Sequence, residues 1–252
     1  MIKRCFVLIG GCLLLFQAGA FGQVRLDIAV PRRSYVVGEP ITATLALQSQ
    51  STMPLVFGGE HHNAALFLEI RSSHTGRGAP DRRTVSRDFV LMPRSTYRDV
   101  VEVTSIFDFL AGGNYRMSVV VVHAGISYRS PLVVFDVVPG IEMQSFRQML
   151  PGYDDIEVVY SFRYATRAGR EDAFMVIESS DGRTFFGTFA LGPLLRLYQP
   201  MVRARSDGSI VAVHQSGRNR FTRSIFAADR SGAEFVEQRH FRPDGTPMET
   251  GR

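Results

Sequence analysis

From Ile156 to the end of the chain, turn-forming residues recur at short intervals: Ala168-Gly169, Ser180-Asp181-Gly182, Ser206-Asp207-Gly208, Ser216-Gly217, Arg230-Ser231-Gly232 and Pro243-Asp244-Gly245. Glycine reaches the positive φ that tight hairpins need, and Asp or Ser side chains close such turns by bonding their own backbone. The segments between them, at 157–165, 173–178, 184–190, 201–205, 209–215, 221–227 and 234–241, are short and read as strands, several of them alternating apolar with polar residues. A period of two marks half-buried strands, so this half is predicted to be an antiparallel meander.

The first half carries the same period in a different rhythm. Strands are predicted at 24–30, 41–48, 55–57, 65–71, 88–92 and 97–104. In the second of these, Ile41, Ala43, Leu45 and Leu47 line one face, while Thr42, Thr44, Ala46 and Gln48 line the other. Ser72 to Arg87 is polar, rich in Arg, and carries Gly76, Gly78 and Pro80, which reads as an exposed loop. Tyr115, Met117, Val119 and Val121 then share a face, but Val120 and Val122 make the strand apolar on both sides, the mark of a central strand. Ala124-Gly125 is the turn to a partner at 128–138, where Pro131 predicts an edge or a strand start.

Met1-Ile2-Lys3-Arg4, the apolar run from Cys5 to Phe16 and the small residues Ala18 and Ala20 match a secretory leader over 1–20. Ile9-Gly10-Gly11-Cys12 also resembles a lipobox, but the apolar run continues past Cys12, so cleavage after Ala20 is expected rather than lipid anchoring. Cys5 and Cys12 are the only cysteines, and their loss with the leader leaves no disulfide, cysteine ligand or thiol nucleophile. No later run approaches the ~20 apolar residues of a membrane helix. Without Lys3 and Arg4 the net charge falls from +5 to +3, spread evenly over both halves, so bulk electrostatics give no case for nucleic acid. Lys3 is the only lysine, which leaves Arg as the cation of the mature chain.

Two motifs carry a resemblance. Tyr35, Gly38, Glu39, Pro40 and Ile41 lead into one long strand, and Leu110, Gly113 and Tyr115 into another. Together they resemble immunoglobulin-like sandwich domains of bacterial envelope proteins over residues 24–138, and more loosely the bacterial proteinase-inhibitor domain of similar strand order. The resemblance implies structural roles for Leu110, Gly113 and Tyr115, the last as a corner tyrosine whose hydroxyl ties back the chain. The cysteine pair and core Trp of antibody domains are missing, so no antibody-like role is carried over.

The expected fold is therefore all-β: a leader at 1–20, an immunoglobulin-like sandwich at 24–138, a linker at 139–155 and a meander domain at 156–252. Residues 141–150 of the linker are read as a short helix or irregular connector. Roughly one hundred residues would make only about two propeller blades, fewer than closed propellers use, so the meander is expected to form a small sandwich or curled sheet of its own rather than to pack against the first domain or another subunit.

Catalytic and metal-binding patterns are weighed against simpler readings. Glu60-His61-His62, with His74 nearby, is read as solvated loop histidines, and no metal or cofactor is expected. His214 and Ser216 lie two apart, but no Gly-x-Ser-x-Gly elbow accompanies them. Asp154, Asp155, Glu157, Glu171 and Asp172 are read as turn carboxylates rather than a glycosidase pair. Tyr153, Tyr160, Tyr164 and Tyr198 are the stacking candidates in a chain without Trp.

The surface feature that stands out is an arginine set. Arg203 and Arg205 share a strand face, and Arg218, Arg220 and Arg223 follow on the next hairpin, a pattern suited to a carboxylate-rich ligand. Asp207, Asp229, Glu234 and Glu237 are the acids that would instead neutralise them. The functional expectation is an exported, non-enzymatic binding or scaffold module of the bacterial envelope, whose partner is a protein or anionic ligand. A protease-interacting domain using the loop at 72–87 is the first alternative, and a small hydrolase the second.

Overall fold

Period-two burial organises the first half. β1 (Val24–Ala29) and β3 (Thr42–Ser49) place every second side chain inward, and Ala43, Leu45 and Leu47 are fully buried. With β8 (Thr96–Glu102) they form an antiparallel sheet in the order β1-β3-β8. The computed structural model describes residues 24–73 and 79–248, so the expected leader with Cys5 and Cys12, and His74, lie outside the described residues.

Facing this sheet is a mixed one, built from β2 (Ser34–Val36), β4 (Leu55–Phe57), β5 (Ala64–Ser72), β7 (Phe89–Leu91), β9 (Gly113–His123) and β11 (Val133–Val138). Their order is β2-β11-β9-β5-β4-β7, with β6 (Asp81–Thr84) added to β5 and β10 (Ile126–Arg129) to β9. The two inner faces share one core, which includes Leu47, Leu68, Val119 and Phe135. β9 lies between β11 and β5 with Val119, Val120 and Val121 all buried, as its two apolar faces require. Ala124 and Gly125 take φ of 49° and 78°, the primed-turn geometry of a two-residue hairpin. The strand after that turn breaks at Pro131, which has no N–H to donate, and pairing with β9 resumes at Val133.

The Tyr115 hydroxyl donates to the Ala111 carbonyl at 2.8 Å, and its ring stacks on Phe135. Gly113 is the first residue of β9. Leu110, however, is 52% exposed, and it is the neighbouring Phe109 that enters the core. Within the predicted loop at 72–87, residues 81–84 form a strand: β6, with no apolar alternation to betray it, pairs with β5. Its Arg82 reaches the buried Glu69, which Arg129 holds from the other side.

The second half comprises two four-stranded antiparallel meanders. The first contains β12 (Ile141–Met149), β13 (Glu157–Arg167), β14 (Arg170–Ser179) and β15 (Phe185–Pro193); the second contains β16 (Met201–Ala204), β17 (Ile210–Gly217), β18 (Arg220–Asp229) and β19 (Gly232–Phe241). They share a core in which Phe162, Met175 and Ile177 from one sheet meet Ile210, Ala212 and Phe226 from the other. β12 corrects the expected helix or irregular connector within 139–155. A bulge between Glu142 and Gln144 shifts the register, so Met143 and Phe146, three residues apart, both pack on the core and mimic a helical spacing. The fold is all-β, and the residues Val103–Ser105 form a short 3-10 turn after β8.

The halves meet where the turn after β2 presses on the outer face of β13 and β14. Val36 packs with Ala165, Phe174 and Val176, and the Thr188 hydroxyl donates to the Val37 carbonyl at 2.7 Å. Glu39, 3% exposed, accepts from the Val36 N–H at 2.9 Å, from Arg32 at 2.7 Å and from both terminal nitrogens of Arg167, itself only 9% exposed. The Arg167 guanidinium also lies over the Phe174 ring, at 4.5 Å from its centroid.

Two outcomes are expected at this contact. Glu39→Ala leaves Arg167 buried without its counter-charge and should cost about 3–5 kcal/mol in urea denaturation; a loss below 1 kcal/mol, roughly that of an exposed pair, would contradict the role given to it. Gly38→Ala should also destabilise, because Gly38 has φ of 71° and an added Cβ would lie 1.9 Å from the Phe185 ring. Part of that loss should return when Phe185→Ala is added, and strictly additive losses in the double-mutant cycle would show that the ring is not the obstacle.

Candidate anion-binding face

Alternation assigns each residue of the last sheet to a face. On β16, Val202 is buried, so Met201 and Arg203 point outward and Arg205 continues their side. Ile210, Ala212 and His214 of β17 face the core, leaving Val211 and Val213 outside. On β18 the outward residues are Phe221, Arg223 and Ile225. The register sets these side by side in rows: Arg203, Val211, Ile225 and Glu237 in one, and Met201, Val213, Arg223 and Arg239 in the next.

The first row and its neighbours enclose a groove of ≈330 Å³, with Val211 and Ile225 as its floor and Arg203, Arg205, Arg223, Arg239 and Glu237 as its walls. Glu237 is shared by Arg223 at 3.3 Å and Arg239 at 2.5 Å. Arg205 meets Asp207 at 3.3 Å, while Arg203 has no ion pair among the described residues. Asp207 is mainly occupied elsewhere: the Ser209 hydroxyl and then the Ser209 N–H hold its carboxyl below the usual carboxylate range. Four guanidinium groups thus stand against two carboxylates. Exposed pairs of this kind contribute roughly 0–1 kcal/mol each, so an incoming carboxylate can compete for the arginines.

Of the five arginines predicted for this surface, the structure brings Arg203, Arg205 and Arg223 together. Arg220 departs from the prediction. Its place one residue before the outward Phe221 turns it to the opposite side, with Thr222 and Ser224, where it donates to the Ser216 hydroxyl at 3.1 Å and the Ser216 carbonyl at 3.2 Å. Arg218 sits on the hairpin turn, its carbonyl accepting from Gln215. Arg239 is the member that sequence reasoning missed. Glu237, Arg239 and Phe241 alternate in the sequence, but the bulge beside Phe226 sets which strand partners they meet. Asp229 does not reach the arginines; it caps its own turn through the Ser231 N–H at 2.7 Å.

An apolar trough of ≈320 Å³ adjoins the groove, lined by Val213, Phe221, Phe241 and Pro243. Arg223 belongs to both depressions, its guanidinium 5.0 Å from the centroid of the Phe241 ring. At the rim, Tyr198 is 62% exposed and its ring lies 5.7 Å from that of Phe221. Of the other stacking candidates, Tyr160 and Tyr164 are core residues, and Tyr153 is covered by Arg230 at 4.1 Å.

The inner side of the same sheet holds the His214 and Ser216 pair. Both are buried, and the Ser216 hydroxyl is bonded to Thr222 at 2.6 Å, which in turn meets His240 at 2.9 Å. His214, 2% exposed, has no hydrogen-bond partner on either ring nitrogen among the described residues and rests near the Phe162 ring. Burial lowers its pKa to about 4; the nearby Pro193 carbonyl offsets part of this, while His240 and Arg220 add to it. The carboxylates considered for glycosidase chemistry are mostly engaged, Asp155 with Arg230, Glu157 with Arg147, Glu171 with Arg196 and Asp172 with Arg170. Glu60, His61 and His62 are exposed, and no metal-binding cluster occurs among the described residues.

No family model and no curated protein matches the chain. Among solved structures it is similar to the Pseudomonas fluorescens alkylpurine DNA glycosylase AlkC bound to DNA containing an abasic site analog. That match has 19% identity and a TM-score of 0.34, covering 46% of this chain and 30% of the glycosylase. A second is the sporulation control protein Spo0M from Bacillus subtilis, with 10% identity and a TM-score of 0.28 over 67% of this chain and 91% of that one. At such scores neither likeness bears on activity.

His214 generates a pH prediction. Its folded pKa of about 4 lies below the ordinary 6.5, so between these values the unfolded chain binds more protons. The stability that the neutral ring contributes is complete above pH 6.5 and is lost as pH falls toward 4, by about 3 kcal/mol. His240, shifted the same way by burial and by Arg220, adds to the slope. His214→Leu should flatten much of the stability curve across this window; an unchanged slope in denaturant titrations would refute the assignment.

Proposed function

We propose that this chain is an exported, non-enzymatic binding module of the bacterial envelope, and that the outer face of β16–β19 is where it holds an anionic ligand. The observation that carries this reading is the convergence of Arg203, Arg205, Arg223 and Arg239 on one groove that their own acids neutralise only in part. Guanidinium groups bind carboxylates through paired, charge-assisted hydrogen bonds, and an apolar floor strengthens such bonds by excluding water. Export rests on the leader-like residues 1–20. No helix among the described residues is long and apolar enough to cross a membrane. The sandwich at 24–138, with its corner Tyr115, is read as the immunoglobulin-like support of this face.

Two observations weigh against the alternatives. A hydrolase using His214 and Ser216 would need a substrate to reach side chains closed between two sheets. A protease-interacting loop would present Arg82, but this residue lies on β6 and is tied to the buried Glu69.

Binding to polygalacturonate, a regular polymer of carboxylates, tests the reading. The chain should be retained at low salt and released as salt rises, and the pair Arg203→Glu and Arg239→Glu should weaken binding about tenfold or more, roughly 1.4 kcal/mol. Equal binding by the reversed and parent chains, both folded by circular dichroism, would remove this face as the site.

A further inference from the structure

We propose that the ligand of this face is an extended acidic segment of another protein, with carboxylates at alternate positions followed by an apolar side chain. The inference rests on the anion-binding reading above and names its partner. The groove and the trough are parts of one surface, joined at Arg223. Along the strands the order runs from the row of Arg203 and Glu237, to the row of Arg223 and Arg239, to Phe221 paired with Phe241. Successive rows are two residues apart, about 6.6 Å in extended backbone. A peptide lying along these strands repeats its side chains on one face at that same spacing. Carboxylates at positions i and i+2 then meet the two arginine rows, and the side chain at i+4 meets the aromatic row.

Three features favour a peptide over a uniform polyanion. Glu237 sits among the arginines, where an unbroken line of ligand charge would meet repulsion but a peptide amide finds an acceptor. The trough offers an aromatic pocket to which a phosphate or uronate chain brings no apolar group. Tyr198, 62% exposed with its ring 5.7 Å from that of Phe221, extends that apolar rim beyond anything an ion requires.

Fluorescence anisotropy with the full chain distinguishes the cases. The first probe is a labelled peptide carrying glutamates at i and i+2 and phenylalanine at i+4; the second has alanine for phenylalanine. Polygalacturonate and a single-stranded oligonucleotide serve as further probes. The first peptide should bind at least tenfold tighter than the second. Phe241→Leu and Tyr198→Ala should shrink that difference, while Arg203→Glu weakens both peptides. Tyr198 is exposed enough that its variant keeps the fold if Phe241→Leu does not. Equal binding of the two peptides, with polygalacturonate still bound, would overturn this inference and leave the anion-binding reading standing. Failure of polygalacturonate and both peptides would overturn both. Tighter binding of the oligonucleotide than of the first peptide would assign the face to nucleic acid instead.

Discussion

The Glu39 carboxylate is the group on which the relation between the two halves depends. It is removed from water and must be repaid in hydrogen bonds, and it receives them from Arg32 and the Val36 N–H on its own side and from Arg167 across the contact. Burying two charges costs several kcal/mol per ion, so such a pair adds little net stability compared with apolar packing. Its effect is directional: any other seating of the turn on β13 and β14 would leave a buried charge unpaired. Gly38 adds a steric condition, since only a residue without Cβ lets the turn approach Phe185. Position is thus set by charge and shape, while Val36, Phe174 and Val176 supply apolar burial of roughly 1.5–3 kcal/mol for each large side chain.

That seating makes the first meander a middle layer. Ser161, Phe174 and Val176 are buried on one face of it and Phe162, Met175 and Ile177 on the other, which explains runs such as Phe174 to Ile177 that are apolar without alternation. The second meander covers the inner face only. Its own outer face has no layer above it among the described residues, and this is the face that carries the arginines. The contact at Glu39 and the groove at Arg203 are therefore consequences of one stacking order.

What the sequence revealed follows the local physics. The buried stripe of Ala43, Leu45 and Leu47, the doubly apolar β9 and the turn at Ala124-Gly125 all depend on a few neighbouring residues, and each was legible; the Tyr115 hydroxyl bond was implied by the resemblance rather than by a local pattern. Bulges were not legible. One at Glu142 and Gln144 disguised β12 as a connector, and another beside Phe226 fixed the neighbours of Arg239. A bulge reverses every later side chain relative to a strict period of two, so it alters faces without altering composition. β6 escaped for a different reason: its residues are all exposed, and its place is fixed by pairing with β5 and by Glu69, far away in sequence. Glu39 belonged to a recognised motif, but its partner Arg167 is a long-range neighbour that no local pattern could supply.

The last sheet also distributes polarity against the usual rule. Its inner rows place His214, Thr222 and Ser224 where a sandwich ordinarily has aliphatic side chains, and its outer rows place Val211, Val213, Phe221, Ile225 and Phe241 toward the uncovered side. Thr222 and Ser224 are kept inside by specific bonds, to Ser216 and His240 and to Gln238. His214 lacks such bonds, and the fold carries the cost of keeping it neutral. A sheet needing only to close a core would gain by exchanging these faces, since the half-buried Val213, Phe221 and Phe241 would add burial inside and each hydroxyl moved outward regains water. The arrangement is consistent if the outer face is itself a contact surface. Its half-buried Val213, Phe221 and Phe241 then lose their remaining exposure to the ligand, and the arginines around the floor of Val211 and Ile225 select the charge of what binds.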